Sequence, residues 1–192
     1  MTVTTQNMTL EEYLTYDDGT DKRYELVAGE LVEMPPESWN NSVIARYLFA
    51  HFLQFVPIQQ LCYKDTEIVV AGARATTRFP DVMVVSEELA NLMQGQHRST
   101  ITLDMPPPLL VVEVVSPGKK NEERDYRYKR SEYAARGIAE YWIVDPIQGQ
   151  MTVLTLVEGL YEALVFRGAD AIQSSLFPEL ALTAAQILRA ET

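Results

Sequence analysis

Residues 109–115 read LLVVEVV, six leucines and valines around one acid, Glu113. An unbroken apolar run of this length suits a central strand covered on both faces. The acid is the exception. An isolated carboxylate in such a strand is several kcal/mol unfavourable unless it is paired, protonated or bound to a metal. Glu113 is therefore half of a structural ion pair, an acid near a strand end that reaches water, or a metal-binding or catalytic group.

Outward from this strand, residues 121–136 read as a helix ended by Gly137 at the C′ position. Residues 140–144, EYWIV, form the next strand. A strand–helix–strand unit of this kind predicts that the two strands are parallel. Upstream, Thr9-Leu10-Glu11-Glu12 is a capping box that starts a short helix running to about residue 16. Residues 23–34, RYELV-AG-ELVEM, read as a hairpin with Gly29 in the turn. Ser38 caps a long helix over 39–55, whose apolar face is Val43, Ile44, Tyr47, Leu48 and Phe52. Strands are expected at 67–70 and 81–85, and a short helix at 87–93. A second hairpin is expected over 150–157 and 161–166, around Glu158-Gly159. A last helix lies near 183–189. The sum is an α/β chain (an α+β mixed sheet): a central mixed sheet flanked by helices, with added N- and C-terminal hairpins. Residues 1–8 are expected to be loose and 9–192 to form a single domain.

Composition removes several classes. The one cysteine, Cys62, rules out an intrachain disulfide, and two histidines, His51 and His97, leave no zinc-type cluster. No apolar run approaches the ~20 residues that span a bilayer. The N-terminus lacks the basic and apolar regions of a signal peptide, so a cytoplasmic location is expected. The net charge of −11 opposes a nucleic-acid partner. The objection is weaker locally. Residues 116–137 carry seven basic and four acidic side chains, +3 against −14 for the rest. A solvated helix face laced with i,i+4 pairs is the plainer account of that stretch.

Three further residues join Glu113. Asp81 follows Pro80 at the mouth of a strand, where an acid is often only a turn former. On a strand next to Glu113, however, it would complete a pair of carboxylates able to share one hard cation such as Mg²⁺. Lys129 lies on the helix near the side marked as buried by Tyr126, Tyr133 and Gly137. An ammonium there could orient a metal-bound water and stabilise charge on a phosphate; a surface pair with Asp125 is the simpler alternative. Glu25, on the first hairpin, is a fourth candidate with Glu30 as its rival, and the residues do not choose between them. Trp39, Trp142, Tyr141 and Tyr24 read as core or interface. His51 reads as a helix residue at the packing border, and His97 has no assigned role.

The order RYELVAGELVEMPP, FPDVMVV, LLVVEVVSP, Asp125-x-x-x-Lys129 and YAARGIAEYWIVDP resembles the Uma family of bacterial restriction-endonuclease-like proteins, within the PD-(D/E)xK nuclease superfamily. The resemblance runs from TLEEYL to the closing hairpin. It implies a restriction endonuclease-like core, with Asp81 as the acid of the PD half-motif, Glu113 as the second acid and Glu25 as the early family glutamate. The usual superfamily lysine stands two residues after the second acid, where this chain has Val115. The family is similar in carrying a lysine on the following helix, which matches Lys129. One departure is that Asn40 and Asn41 stand where many relatives carry a histidine.

The expected activity is Mg²⁺- or Mn²⁺-dependent hydrolysis of DNA phosphodiester bonds. Asp81 and Glu113 would hold the metal. Lys119, Lys120 and Arg124 would contact phosphate, and a homodimer would supply two sites. Two other readings stand beside it: a non-catalytic nucleic-acid- or protein-binding member of the same fold, and a metal-dependent phosphohydrolase for small nucleotides.

Overall fold

The computed structural model describes residues 7–70, 72, 74–119 and 123–191. Most of the stretch expected to be loose, residues 1–6, lies outside them, as does Lys120.

Helix α1 (Leu10–Leu14) starts on the capping box, with Thr9 and Glu12 bonded reciprocally. Strands β1 (Tyr24–Val27) and β2 (Glu30–Glu33) form the first hairpin. Its turn residues Ala28 and Gly29 both have positive φ, 51° and 84°. Two positive-φ residues make the turn whose twist matches that of the strands, and glycine takes the second place without strain. Helix α2 (Trp39–Phe52), capped by the Ser38 hydroxyl, buries Ile44, Ala45, Leu48 and Phe52. It ends three residues earlier than the apolar spacing implies. Of the face read from sequence, Val43 and Tyr47 are only partly covered.

The chain then forms β3 (Leu61–Cys62), β4 (Glu67–Val70), β5 (Thr76–Arg78), β6 (Val82–Val84), α3 (Glu87–Met93), β7 (Thr100–Ile101) and β8 (Leu110–Val114). A π-helical turn, Arg124–Lys129, runs into α4 (Arg130–Arg136), which stops at Gly137 with φ 82°. Strands β9 (Glu140–Asp145), β10 (Gln150–Val157) and β11 (Leu160–Arg167) follow, then α5 (Ala184–Arg189).

The central sheet has the order β11-β10-β9-β8-β6-β3. The β8–β9 pair is parallel, as the strand–helix–strand unit requires, and its other pairs are antiparallel. One feature differs from the single sheet read from the sequence. Strand β4 belongs to a separate three-stranded sheet, β5-β4-β7. Strands β3, β5 and β7 have only two or three residues, too few for an alternating pattern to show. Side chains of the central sheet alternate between two layers. Val112, Val114 and Trp142 face α2 and α5. Val111, Val115, Tyr141 and Ile143 face α3, α4 and β4. Trp142 and Tyr141 are core residues, whereas Trp39, read as core or interface, is 78% exposed under the Arg46 guanidinium.

Among the acids that the strands bury are Glu67, Glu113 and Glu140. Glu140 accepts from the Trp142 indole, the Ser174 and Ser175 hydroxyls and the Ser175 amide. Four donors satisfy it without a cation. Glu140→Ala removes the acceptor for all four, so urea unfolding should show a loss of roughly 3 kcal/mol or more. A loss under about 1 kcal/mol would mean that these donors find water.

Candidate active site

Glu25, Asp81, Glu113 and Lys129 line one cleft, together with Arg124, Glu33, Glu37, Phe79 and Ser116. The cleft has a volume of about 90 Å³, enough for several waters at roughly 10–15 Å³ each. Segment 33–37, the end of β2 and the link towards α2, forms one wall.

Glu113 lies on the same face of β8 as Val111 and Val115, towards α4. It is 4% exposed. Its Oε2 is 2.7 Å from Lys129 Nζ, and its Oε1 accepts from the Tyr133 hydroxyl at 2.6 Å. Asp81 is fastened to the same strand twice. Its amide donates to the Val112 carbonyl, and its Oδ2 accepts from the Val114 amide at 2.6 Å. That clamp sets its carboxylate beside the peptide that follows Glu113. Its Oδ1 is 2.7 Å from Lys64 Nζ, which also reaches Glu37 Oε2 at 2.8 Å.

Lys129 comes from the π-helical turn, whose i→i+5 pattern is frequent at functional sites. The turn and α4 bring Asp125, Lys129 and Tyr133 inward together, all at most 3% exposed. Lys129 Nζ is 3.2 Å from Asp125 Oδ1, so the pairing expected at the surface exists, but it is buried and adds to the Glu113 pair rather than replacing it. Asp125 Oδ1 also takes Arg124 Nε, while its buried Oδ2 has no hydrogen-bond partner.

Burial pushes the Glu113 carboxyl above its ordinary pKa; Lys129 opposes this, and the nearby charges of Asp125 and Asp81 add to it. Burial raises Asp81 in the same way, against the pull of Lys64. For Lys129, burial disfavours the charge, yet Glu113 and Asp125 hold its pKa above the ordinary value. Two buried carboxylates thus line one cleft, each beside a lysine, and both are hard oxygen donors of the kind a divalent cation takes. Among the described residues no group of three or more His, Cys, Asp and Glu side chains is placed to hold an ion. Two carboxylates suffice for an ion such as Mg²⁺ that keeps several waters.

Between Glu25 and Glu30, the structure places Glu25 in the cleft and Glu30 on the exposed end of the hairpin. Both oxygens of Glu25 are engaged: Oε1 by the Phe79 amide, Oε2 by Arg78, whose guanidinium also forks onto Glu132. Through Arg78, Glu25 therefore ties the hairpin to α4. Asn41 is buried and donates to the Val114 and Val115 carbonyls and Ser116 Oγ, fixing the end of β8 to α2. His51 bonds the Tyr47 carbonyl on α2, and His97 is exposed.

Among the described residues of the basic stretch, several cations are engaged within the fold. Arg124 and Lys129 are paired to acids, Arg130 donates to the Tyr161 carbonyl, and Arg136 donates to those of Thr102 and Met105. Lys119 and Arg127 are exposed. Sequence reasoning missed Lys64, Arg78 and the hydroxyl of Tyr133. Lys64 stands in a turn, YKDT, with nothing to mark it. Arg78 could have been suspected as a cation in a short buried strand, and Tyr133 from its place one helical turn after Lys129.

Glu113→Gln tests the role of the charge. Glutamine can still accept from Tyr133, and Lys129 keeps Asp125. Without divalent ions the variant should unfold within about 1 kcal/mol of the wild type, while the stabilisation by added Mg²⁺ disappears. A loss of ~3 kcal/mol or more without metal would make Glu113 a structural ion-pair partner instead.

Comparison with known proteins bears on the family and the fold. No curated protein matches the sequence. A crystal structure described as "a putative nuclease belonging to DUF820", from Anabaena variabilis ATCC 29413, is similar in fold with a TM-score of 0.69. The identity is 17%, and the match covers 94% of this chain and 97% of that one. Together with the mixed sheet flanked by helices, the likeness establishes a restriction endonuclease-like fold. The family model Uma2, "Putative restriction endonuclease", matches residues 10–185. The chain belongs to the Uma2 family.

Proposed function

We propose that this protein is a Mg²⁺-dependent endonuclease that hydrolyses DNA phosphodiester bonds. The observation that carries the reading is the convergence of Asp81 and Glu113 on one cleft, with the Lys129 ammonium held against Glu113. A purely structural ion pair would not need a second buried carboxylate beside it. The family description and the nuclease named above support the same class of reaction.

In this reading Asp81 and Glu113 hold the ion, for which Mn²⁺ can substitute. When bound, a divalent ion polarises a phosphoryl oxygen and lowers the pKa of a coordinated water. Lys129, fixed between Glu113 and Asp125, orients the attacking water and stabilises negative charge developing on the phosphate. Tyr133 keeps the Glu113 carboxylate in one orientation by donating to Oε1. Glu25 acts through Arg78 and the Phe79 amide by holding the cleft floor in shape. Exposed Lys119 supplies a contact to the DNA backbone. A cytoplasmic homodimer would present two such clefts to the two strands of a duplex.

One observation favours a second reading. The cleft is lined by five carboxylates (Glu25, Glu33, Glu37, Asp81, Glu113) against two cations, Arg124 and Lys129. Such a surround suits a small nucleotide with its own metal better than a polyanion. A cleavage screen separates the two. Plasmid, single-stranded DNA, RNA and nucleotides are each incubated with and without Mg²⁺ or Mn²⁺. Nicking or linearisation of plasmid only with metal supports the nuclease; hydrolysis of nucleotides alone supports the second reading; no turnover of any substrate would sink both.

Lys129 gives the sharper test. Val115 projects to the same face as Glu113 and is buried, so it occupies the usual lysine position while Lys129 reaches that space from the helix. Lys129→Ala should keep the fold and lose ~3–4 kcal/mol of transition-state stabilisation, a roughly 100- to 1000-fold lower rate. Adding Val115→Lys should restore part of the rate. Full activity in Lys129→Ala would leave the lysine a structural partner of Glu113 and Asp125.

A further inference from the structure

We propose that Lys64 is a further positioning residue of this site: a built-in counter-cation that occupies Asp81 until a divalent ion takes its place, and then passes to Glu37. The inference rests on the reading of Asp81 and Glu113 as the holders of the ion.

The geometry of Asp81 leaves one oxygen for a cation. Its Oδ2 is engaged by the Val114 amide, and its Oδ1 faces Lys64 Nζ at 2.7 Å. An ammonium and a divalent ion on one carboxylate oxygen repel each other, so the two compete for it. Lys64 is not a loose surface tether, because its side chain is 17% exposed. It extends from the turn between β3 and β4 on a left-handed backbone, φ 53°, a conformation that non-glycine residues adopt uncommonly and that collects at functional sites. Arg23 fastens its carbonyl.

The second partner makes a hand-over possible. Glu37 Oε2 is already 2.8 Å from the same ammonium, on the wall segment and 33% exposed. Lys64 can therefore leave Asp81 without losing its counter-charge. A neighbouring cavity, lined by Lys22, Arg23, Glu33, Glu37, Lys64 and Asp81 among others, gives the side chain room on that side. Lys129 has no such freedom, since Glu113 and Asp125 both belong to packed elements and are at most 5% exposed. The two lysines thus differ in kind. Lys129 stays with the site in all states, whereas Lys64 fills the ion's place and vacates it.

Competition of this form lowers the apparent affinity for the ion by the fraction of time that Asp81 is free. Mg²⁺ alone is titrated calorimetrically into the full chain and into Lys64→Met, Glu37→Gln and Lys22→Met, with melting temperatures recorded in parallel. Lys64→Met should bind Mg²⁺ about tenfold more tightly, as expected if Asp81 is free about a tenth of the time. It should also melt lower without the ion and gain more from it. Glu37→Gln should bind more weakly, because Lys64 then has Asp81 as its only carboxylate. Lys22→Met, whose partner is exposed Glu33, should match the wild type. A structural role for Lys64 would not move the two affinities in opposite directions. Unchanged or weaker binding by Lys64→Met overturns the proposal, and if that variant does not fold, unchanged or tighter binding by Glu37→Gln does so. A wild type that binds no Mg²⁺ would instead remove the metal pair itself.

Discussion

A carboxylate in the middle of a buried strand has to be balanced, and the surroundings of Glu113 are arranged by that requirement. Lys129 supplies the charge, Tyr133 a hydroxyl, and Asp125 steadies the lysine from the other side. All three arrive from one segment, which begins as a π-helical turn and continues as α4. Arg78 then joins α4, through Glu132, to the first hairpin, through Glu25. Two chains of alternating charge, Glu25–Arg78–Glu132 and Glu113–Lys129–Asp125–Arg124, thus hold the hairpin, the helix and the central strand, and Glu25, Glu113, Lys129 and Arg124 line the cleft. Removing water from such a network strengthens each pair and raises the penalty for any group left without one.

Glu140, Glu67 and Glu113, all buried on strands, show why burial alone does not mark a site. Glu140 is neutralised by four uncharged donors, and Glu67 by Tyr13, Thr100 and the Arg98 guanidinium. Neither lines the cleft that holds the other candidates. Glu113 has a cation and a hydroxyl, but a second carboxylate stands beside it and open space lies in front of both. That combination is the ground on which Glu113, rather than the other two, is proposed as an acid placed for chemistry.

Much of this was legible in the sequence because the signals are local and strong. LLVVEVV, the helix with its terminal Gly137 and EYWIV define the parallel pair, and the alternation of side chains along β8 places Val115 on the face of Glu113. Asp81 and Lys129 were singled out by the family resemblance, since their positions at a strand mouth and on a helix face left a turn former and a surface pair as the simpler accounts. What was hidden depends on contacts far apart in the chain. Lys64 meets Asp81 across seventeen positions from the turn after a two-residue strand, and Glu25 was separable from Glu30 only once the hairpin had been packed against β5 through Thr76 and Thr77. The partners of the basic stretch were hidden for a related reason. A run of arginines and lysines looks like a surface, yet Arg124, Arg130 and Arg136 reach back to an acid and to backbone carbonyls of their own fold.

The central claim is that Asp81 and Glu113 together hold a divalent cation. Crystals of the protein grown with Mn²⁺ and measured near the manganese absorption edge test it most directly. The account predicts an anomalous peak in the cleft within coordination distance of Asp81 Oδ1 and a Glu113 oxygen, with the Lys64 ammonium moved towards Glu37. No peak between the two carboxylates, with Lys64 still on Asp81 and Lys129 still on Glu113 at saturating Mn²⁺, would contradict it.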